Sequence, residues 1–448
     1  MMKSIETTLR EMENKDIAFT RLLYIDNDGV IRGQAAVGDQ IEGVFKTGHS
    51  YALAMPFFGV LDTIGPETNF GCAGEVSAVP DLNTFRILPY VPNTASVICD
   101  FLSKDTHQDT GLCPRTMLKK LLSKIDYQVN VAFENEFYLL KRDEQGRLVP
   151  FDNSLCFTTS GMNQGHQVIS DIIKALQAQQ LTVEKYLAEY GPGQHEIAVK
   201  YSDALRACDN QVIFRETVRG VSQNYGLVGS FMPKIFSDKA GSGAHIHFSF
   251  WSEGKNVFYD PKDENQLSLT ARYFIGGIIK HLPALCAFTA PTVTSYKRLV
   301  PHNWASAYGC YGFANREAAL RVIPGSRGKE EKSFNIEFKP VDGTCNPYLA
   351  LTAILAAGMD GIEKEIDPGK AIDFDPANLS DQERQDLGIF RFPTNLGEAV
   401  IALQEDQFFR EVLGDVMYDE YIKLKRFTWM EYNKQITPWE LEKYAESF

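Results

Sequence analysis

Val131-Ala132-Phe133-Glu134-Asn135-Glu136-Phe137 alternates two kinds of side chain. On a strand, residues two apart point the same way, so Glu134 and Glu136 share one face while Phe133 and Phe137 pack on the other. Two carboxylates side by side repel unless cations sit between them. Taken by itself the run reads as a solvated strand face, and its meaning depends on its company. In Glu189-Tyr190-Gly191-Pro192-Gly193-Gln194-His195-Glu196, two more glutamates bracket a Gly-Pro-Gly bend. Such a bend turns the chain back and brings both carboxylates to one point. Alone it is a surface turn, with His195 a structural neighbour and not a ligand. In Gly241-Ser242-Gly243-Ala244-His245-Ile246-His247-Phe248-Ser249-Phe250-Trp251, the polar residues His245, His247 and Ser249 face one way. The glycines ahead of them let a ligand approach the backbone closely. Alternating histidines suit a metal or phosphate site, or simply hydrogen-bonded polar positions. Phe334-Asn335-Ile336-Glu337-Phe338-Lys339 again sets polar residues on one strand face.

Cations come from Tyr296-Lys297-Arg298-Leu299-Val300-Pro301 and Ala314-Asn315-Arg316-Glu317-Ala318-Ala319-Leu320-Arg321. Arginine forks recognise carboxylate and phosphate oxygens bidentately, although any one of them reads equally as a surface ion pair. Together the pieces make chemical sense. Five glutamates and one histidine offer hard, oxygen-rich ligation for Mg²⁺ or Mn²⁺. Three arginines and a lysine hold anionic substrates beside those ions. That combination describes phosphoryl chemistry at a multi-metal site, where the protein positions groups and neutralises charge. No Walker P-loop or kinase glycine loop is present, so another scaffold must hold the nucleotide.

The rest of the 448-residue chain sets bounds on that reading. Its length suggests two to three domains, and 44% apolar with 23% charged residues is the balance of a soluble protein with a sizeable core. A net charge of −13 lacks the electrostatic footprint of a general nucleic-acid binder. No run approaches ~18 apolar residues, so no membrane span is expected. The first residues lack the apolar core of a signal peptide. The eight cysteines carry no C-x-x-C spacing and read as reduced thiols, so a cytoplasmic location is expected.

Residues 17–37 alternate around Asp26-Asn27-Asp28-Gly29, so a hairpin is expected to open the chain. Residues 40–100 are rich in Gly, Pro and short β-prone runs. The polar stretch 103–111 is the expected domain boundary, with Pro114 in the first turn of a helix reaching Lys124. Strand-like runs then alternate with helical ones at 128–140, 163–180, 194–200, 203–225, 244–251 and 334–341. From 346 the pattern turns helical, over Pro347 to Met359 and Ala399 to Leu413. A small mostly-β domain thus precedes a large α+β one.

In this order the motifs resemble the glutamine synthetase superfamily, from about residue 15 to the end. The matching signatures are E-x-E, E-(x6)-E through G-P-G-Q, G-S-G-x-H-x-H, Y-K-R-L-V-P, N-R-x-A-x-x-R, E-F-K-P-x-D and N-P-Y-L-A. The resemblance implies an α+β protein: an N-terminal β-grasp domain over residues 15–105 and a catalytic domain over 112–448 on an antiparallel sheet. It implies stacked rings, usually dodecamers of two hexamers, with active sites shared between neighbours. It also implies ATP as substrate and two or three Mg²⁺ or Mn²⁺ ions. By position, Glu136, Glu189 and Glu196 would hold one metal, and Glu134, His245 and Glu337 the other. Glu184, Tyr201, His247, Ser249, Arg321 and Lys332 would lie on the nucleotide side. Arg316 would face the transferring phosphoryl group as the catalytic residue. Arg298, Gly241 and Lys339 would bind glutamate.

The departures carry the specific information. Ammonia-using members have an acid after Y-K-R-L-V-P-G-Y, and here that place is Trp304. Those members also carry an Asp in a D-G-S-S segment, whereas Gly43 to Ser50 here has no acid. The usual Asn before Gly241 is Ala240, and the usual Arg after Glu337 is Lys339, no neutral exchange at a bidentate site. The Tyr that some bacterial members adenylylate falls at Ser380, so that control is expected to be missing. The resemblance therefore implies an ATP-dependent carbon–nitrogen ligase joining the γ-carboxylate of glutamate to an alkyl, aryl or polyamine, with Trp304 in the amine pocket. The alternatives are an ordinary glutamine synthetase, a catalytically silent structural or regulatory relative, and a phosphotransferase of the related guanidino-kinase fold.

Overall fold

The computed structural model describes residues 3–448. The hairpin expected around Asp26–Gly29 pairs Phe19–Ile25 with Ile31–Val37 in an antiparallel register. A helix, Ile5–Asn14, precedes it, capped by Ser4, whose hydroxyl accepts from the Thr7 amide. The hairpin therefore does not open the chain, and Met12 from that helix is buried in the N-terminal core. The N-terminal sheet has five strands, in the order Ile31–Val37, Phe19–Ile25, Thr94–Ser103, Glu75–Ile87, His49–Ala52. Phe19–Ile25 runs parallel to Thr94–Ser103, and the helix Gln40–Thr47 buries Ile41 and Phe45 against the sheet. This curled sheet and its helix form the expected N-terminal domain.

Pro114 stands in the first turn of Pro114–Leu122, where its missing N–H is not needed. Arg115 of that helix ties the two halves of the molecule together. Its Nε and Nη2 donate to Asp209 at 2.9 and 3.0 Å, Nη1 donates to Asp100 at 2.9 Å, and Nη2 also reaches Asp81 at 2.8 Å.

The second sheet runs Phe390–Arg391, Tyr308–Phe313, Ala318–Ile323, Asn335–Phe338, Ala244–Ser252, Gln128–Arg142, Gln194–Val199, Val183–Ala188 along its main path. It is antiparallel except where Tyr308–Phe313 lies parallel to Ala318–Ile323. Ile246, Phe248 and Phe250 point away from the polar face and are fully buried. Phe274 from the 21-residue helix Leu269–Thr289 packs on Phe248 and Phe250. That helix lies so close to Pro347–Glu363 that a Cβ on Gly277 would come 2.1 Å from the Ala357 carbonyl oxygen. The helical stretch expected from Ala399 to Leu413 breaks at Asp406, between Leu396–Glu405 and Phe408–Leu413. Ser380 caps the short helix Asp381–Asp386 through a reciprocal bond with Glu383. Among the described residues no helix is long and apolar enough to cross a membrane.

Candidate active site

Register decides which polar residues meet. Glu134 lies opposite His245 on one side and Ala198 on the other, and Glu136 lies opposite Glu196. Glu337 lies between His247 and Arg321 on its two neighbouring strands. Each of these positions is two residues from the next along its strand, so the pleat turns them all to one face. Over that face opens a cavity of about 590 Å³. Its floor carries all six candidate metal ligands, Glu134, Glu136, Glu189, Glu196, His245 and Glu337. Its walls include Gly241, Arg298, Lys339, Arg316, Arg321 and Trp304.

Five other expected site residues do not line this cavity. His247 is at its edge, with Nε2 3.5 Å from the Glu134 carboxylate and Nδ1 2.9 Å from Asn335 Oδ1. Ser249 is half-buried and accepts from the Trp251 indole at 2.9 Å. Glu184, Tyr201 and Lys332 are exposed outside it.

Two electrostatic zones divide the floor. Burial pushes the Glu134 and Glu337 carboxyls up, but neighbouring cations outweigh it and hold both at about 2. For Glu134 these are His247, Lys185 and Arg321; for Glu337 the first is Lys339, with His247 and Arg321 behind it. Arg321 Nε donates directly to Glu337. The other corner is different. Burial, with the charge of Glu189 next, pushes Glu136 up to about 7. Burial, with Glu134 and Glu136 next, pushes Glu196 up to about 8, and burial raises Glu189 as well. Lys185, 3.4 Å from Glu196, offers that corner a paired cation. Burial and the nearby Lys339 charge hold His245 well below its ordinary value, so it presents a neutral imidazole.

The donor set fits divalent cations. Among the described residues Glu337 Oε1 and His247 Nε2 are buried without hydrogen-bond partners, which marks them as free to ligate. Ligand atoms of Glu134, His247 and Glu337 lie within 4.8 Å of one another. The histidine grouped with Glu134 and Glu337 is thus His247, expected on the nucleotide side. His245 lies on the other flank of Glu337, with Nδ1 3.4 Å from Glu337 Oε1 and 3.9 Å from Glu136 Oε1. One pleat separates the histidines, so Glu337 reaches both. Glu136, Glu189 and Glu196 raise one another's charge cost at the other corner, a crowding that a divalent ion would relieve.

Arg298 is buried; its Nη2 donates to the Lys339 and Val341 carbonyls at 3.1 and 2.7 Å, while Nε has no partner among the described residues. A Cβ on Gly241 would come 2.6 Å from Arg298 Cγ, so glycine there lets the loop close on the arginine. The Arg316 guanidinium lies over the Trp304 ring, 5.4 Å from its centroid. Several residues around the cavity escaped the sequence reading. Phe157, Tyr190 and Lys234 line the cavity from separate loops, and Glu317 accepts from the Trp304 amide at 2.7 Å. None lies in a periodic polar face, which was the signal that exposed the others.

A family model described as glutamine synthetase, catalytic domain, matches residues 111–444, and a glutamine synthetase N-terminal domain model matches 5–113. The glutamine synthetase of Halobacterium salinarum is 35% identical over 452 residues, covering 98% of this chain and 96% of the relative. That of Clostridium saccharobutylicum is 36% identical, covering 99% of each. Among solved structures, GmaS in complex with ADP superposes with a TM-score of 0.85 at 30% identity, covering 99% of this chain and 100% of the other. A crystal structure of a novel glutamine synthase homologue gives 0.83 at 30% identity, covering 96% and 99%.

Proposed function

Because the chain belongs to the glutamine synthetase family of ATP-dependent ligases, we propose that it joins the γ-carboxylate of glutamate to an organic amine. The observation that carries this reading is Trp304, a cavity wall where the family resemblance puts an acid. Ammonium is concentrated by anionic company, which an indole supplies only in the weaker cation–π form. An alkyl or aryl group gains from the apolar ring, each buried methylene contributing about 0.8 kcal/mol.

Glutamate binds with its α-carboxylate toward Arg298 and its chain along Gly241 and Lys339. Its γ-carboxylate oxygen attacks the terminal phosphorus of ATP, ADP leaves, and Arg316 offsets the charge that develops on the transferring group. Glu184, Tyr201, His247, Ser249, Arg321 and Lys332 serve the nucleotide. The unprotonated amine then attacks the acyl carbon; the C–N bond forms, the C–O bond to phosphate breaks, and the departing phosphate takes the amine proton. Glu136, Glu189 and Glu196 would hold one divalent ion, and Glu134, His245 and Glu337, with His247 alongside, the other. Ions held there would supply positive charge against the phosphates. The reading includes a homo-oligomer, a dodecamer of two hexameric rings. Support comes from the exposed apolar Ile436, Trp439, Leu441 and Tyr444 near the C-terminus, an area that association would cover.

The second reading is an ordinary ammonia-using glutamine synthetase, favoured by the names of the 35% and 36% identical relatives. The two separate on kcat/KM for ammonium against methylamine, longer alkylamines, anilines and polyamines, in the wild type and Trp304→Glu. An organic amine is expected to win in the wild type. A wild type that prefers ammonium rejects the organic-amine reading.

A further inference from the structure

The loop that carries Trp304 also carries a histidine in an unusual setting. His302 lines the cavity and sits at φ +61°, a left-handed backbone that favours glycine. Strain of this kind persists where surrounding structure imposes it, and it clusters at active sites. Here the loop is held from outside. Arg391 donates to the Leu299 carbonyl at 3.1 Å and to the Ala307 carbonyl, gripping both of its stems.

The imidazole is held too. His302 Nδ1 lies 2.7 Å from Asp375 Oδ2. Asp375 Oδ1 accepts from the Ala377 amide at 2.9 Å, which fixes the carboxylate. The backbone ahead of Asp375 is tied down in turn, because Asn315 Nδ2 donates to the Ile372 and Phe374 carbonyls at 2.6 and 2.9 Å. Asn315 is the neighbour of Arg316, so one anchor sets the position of Asp375 and of the phosphoryl-side arginine. A carboxylate only accepts, so Nδ1 carries the hydrogen of the neutral ring and Nε2 keeps its lone pair. Among the described residues Nε2 makes no hydrogen bond or ion pair. An incoming amine has use for such a group. An alkylammonium titrates like the lysine side chain, near 10.4, so at neutral pH roughly one molecule in 10³ carries a free lone pair.

We propose that His302, oriented by Asp375, is the general base that takes the first proton from the substrate ammonium. The proposal rests on the ligase reading above and assigns its proton transfer. The N–H bond breaks as Nε2 gains the proton, the pair left on nitrogen attacks the acyl carbon, and the second proton leaves with phosphate. Asp375 balances the imidazolium that forms, which then returns its proton to solvent. Other charged groups surround the loop. The charges of Asp375 and His302 both bear on Glu317, and Arg316 and Lys339 line the same cavity. Two acids, Glu189 and Asp238, line it as well. Glu189 belongs to the crowded carboxylate corner, and Asp238 pairs with Lys239 at 3.1 Å, so Asp238 is the competing base to test.

The test uses the full-length enzyme with ATP, Mg²⁺ and glutamate, following phosphate release at pH 7. Ethylamine and 2,2,2-trifluoroethylamine share a carbon chain, but the fluorines withdraw charge and leave the second amine unprotonated at that pH. Ammonium and hydroxylamine form the matching pair without a carbon chain. His302→Gly suits the left-handed backbone and removes the ring. It is expected to lower the ratio of kcat/KM for ethylamine over trifluoroethylamine by about 100-fold, the usual contribution of a placed base. That deficit should shrink by about tenfold per pH unit toward pH 9, as solution supplies free amine. Added imidazole should restore part of the ethylamine turnover at pH 7. Asp375→Asn is expected to lower the ratio by about tenfold or more. Equal losses for both amines make His302 a support of the loop and overturn the base. An unchanged ratio in His302→Gly overturns it too, and a ratio lowered in Asp238→Asn instead moves the role to Asp238. A wild type that prefers ammonium rejects the organic-amine reading, and the ratio of ammonium over hydroxylamine then decides the base by itself.

Discussion

The backbone N–H of Trp304 donates to the Glu317 carboxylate at 2.7 Å, thirteen residues along the chain. Glu317 is buried, and burial raises its pKa above the ordinary carboxylate range. Around it His302, Trp304 and Ser306 all adopt left-handed backbone, at φ +61°, +52° and +66°. Ser306 Oγ pins the far end of the loop by donating to the Ala318 carbonyl at 2.7 Å. Glu317 therefore positions Trp304, a wall of the cavity that Glu317 itself does not line. Glu317→Ala is expected to raise KM for the preferred amine about tenfold, because the bond to a charged acceptor contributes about 1.5–3 kcal/mol. Glu317→Gln keeps an acceptor oxygen and should recover most of that loss. Equal amine KM in Glu317→Ala and wild type would remove the positioning role.

Metal binding has a readout apart from turnover. If the carboxylate corner and the Glu337 group hold divalent ions, Mn²⁺ or Mg²⁺ should raise the melting temperature, since a ligand specific to the folded state stabilises it by mass action. Glu337→Ala should abolish turnover and shrink that thermal shift. Full activity in excess chelator, or an unchanged shift in the variant, contradicts the assignment.

Arg316 is exposed and makes no ion pair among the described residues, only its contact with Trp304. A guanidinium poised in this way matches a group that acts when phosphate charge develops. Arg316→Ala should lower kcat by about 100-fold or more while ATP affinity changes little. Isothermal titration with a non-hydrolysable ATP analogue, beside steady-state kinetics, separates the two. A loss confined to nucleotide affinity would make Arg316 a binding residue.

Acid should loosen the junction between the domains. Burial pushes Asp81 up, but Arg115 and then Lys119 outweigh it and hold its carboxyl at about 2 in the folded state. An unfolded Asp titrates near 3.9, so the unfolded chain binds more protons between those values. The stabilisation is present above about pH 4 and is lost as pH falls toward 2, amounting to about 2 kcal/mol. Urea midpoints measured from pH 6 to 2.5 should fall less steeply in Asp81→Asn than in the wild type. Parallel curves would place the acid sensitivity elsewhere.

Much of the site was legible because a strand's period of two is visible in one dimension. Glu134 and Glu136, His245 and His247, and Glu337 each stand in a run where apolar neighbours mark the opposite face, so the catalytic sheet could be read from residue order. The Asp26–Gly29 turn was legible for the same local reason. The helix Leu269–Thr289 was not. It is buried nearly all round, so no polar face marks a period, and Gly276, Gly277 and Pro283 stand inside it as apparent breakers. Gly277 makes sense only against Pro347–Glu363, and Gly276 only against Ile366 just beyond that helix, where backbone occupies the space a side chain would need.

The local alternation of side chains by itself determined that carboxylates, histidines and arginines would share strand faces, and so that anionic phosphoryl chemistry was in view. Tertiary structure alone decided which of them meet. Register between strands put Glu337 within reach of both histidines, and the loops put Phe157, Tyr190 and Trp304 around one opening. The reason is physical: pleating is a property of neighbours along the chain, whereas register and loop convergence follow from packing between residues far apart in sequence, which residue order does not encode locally.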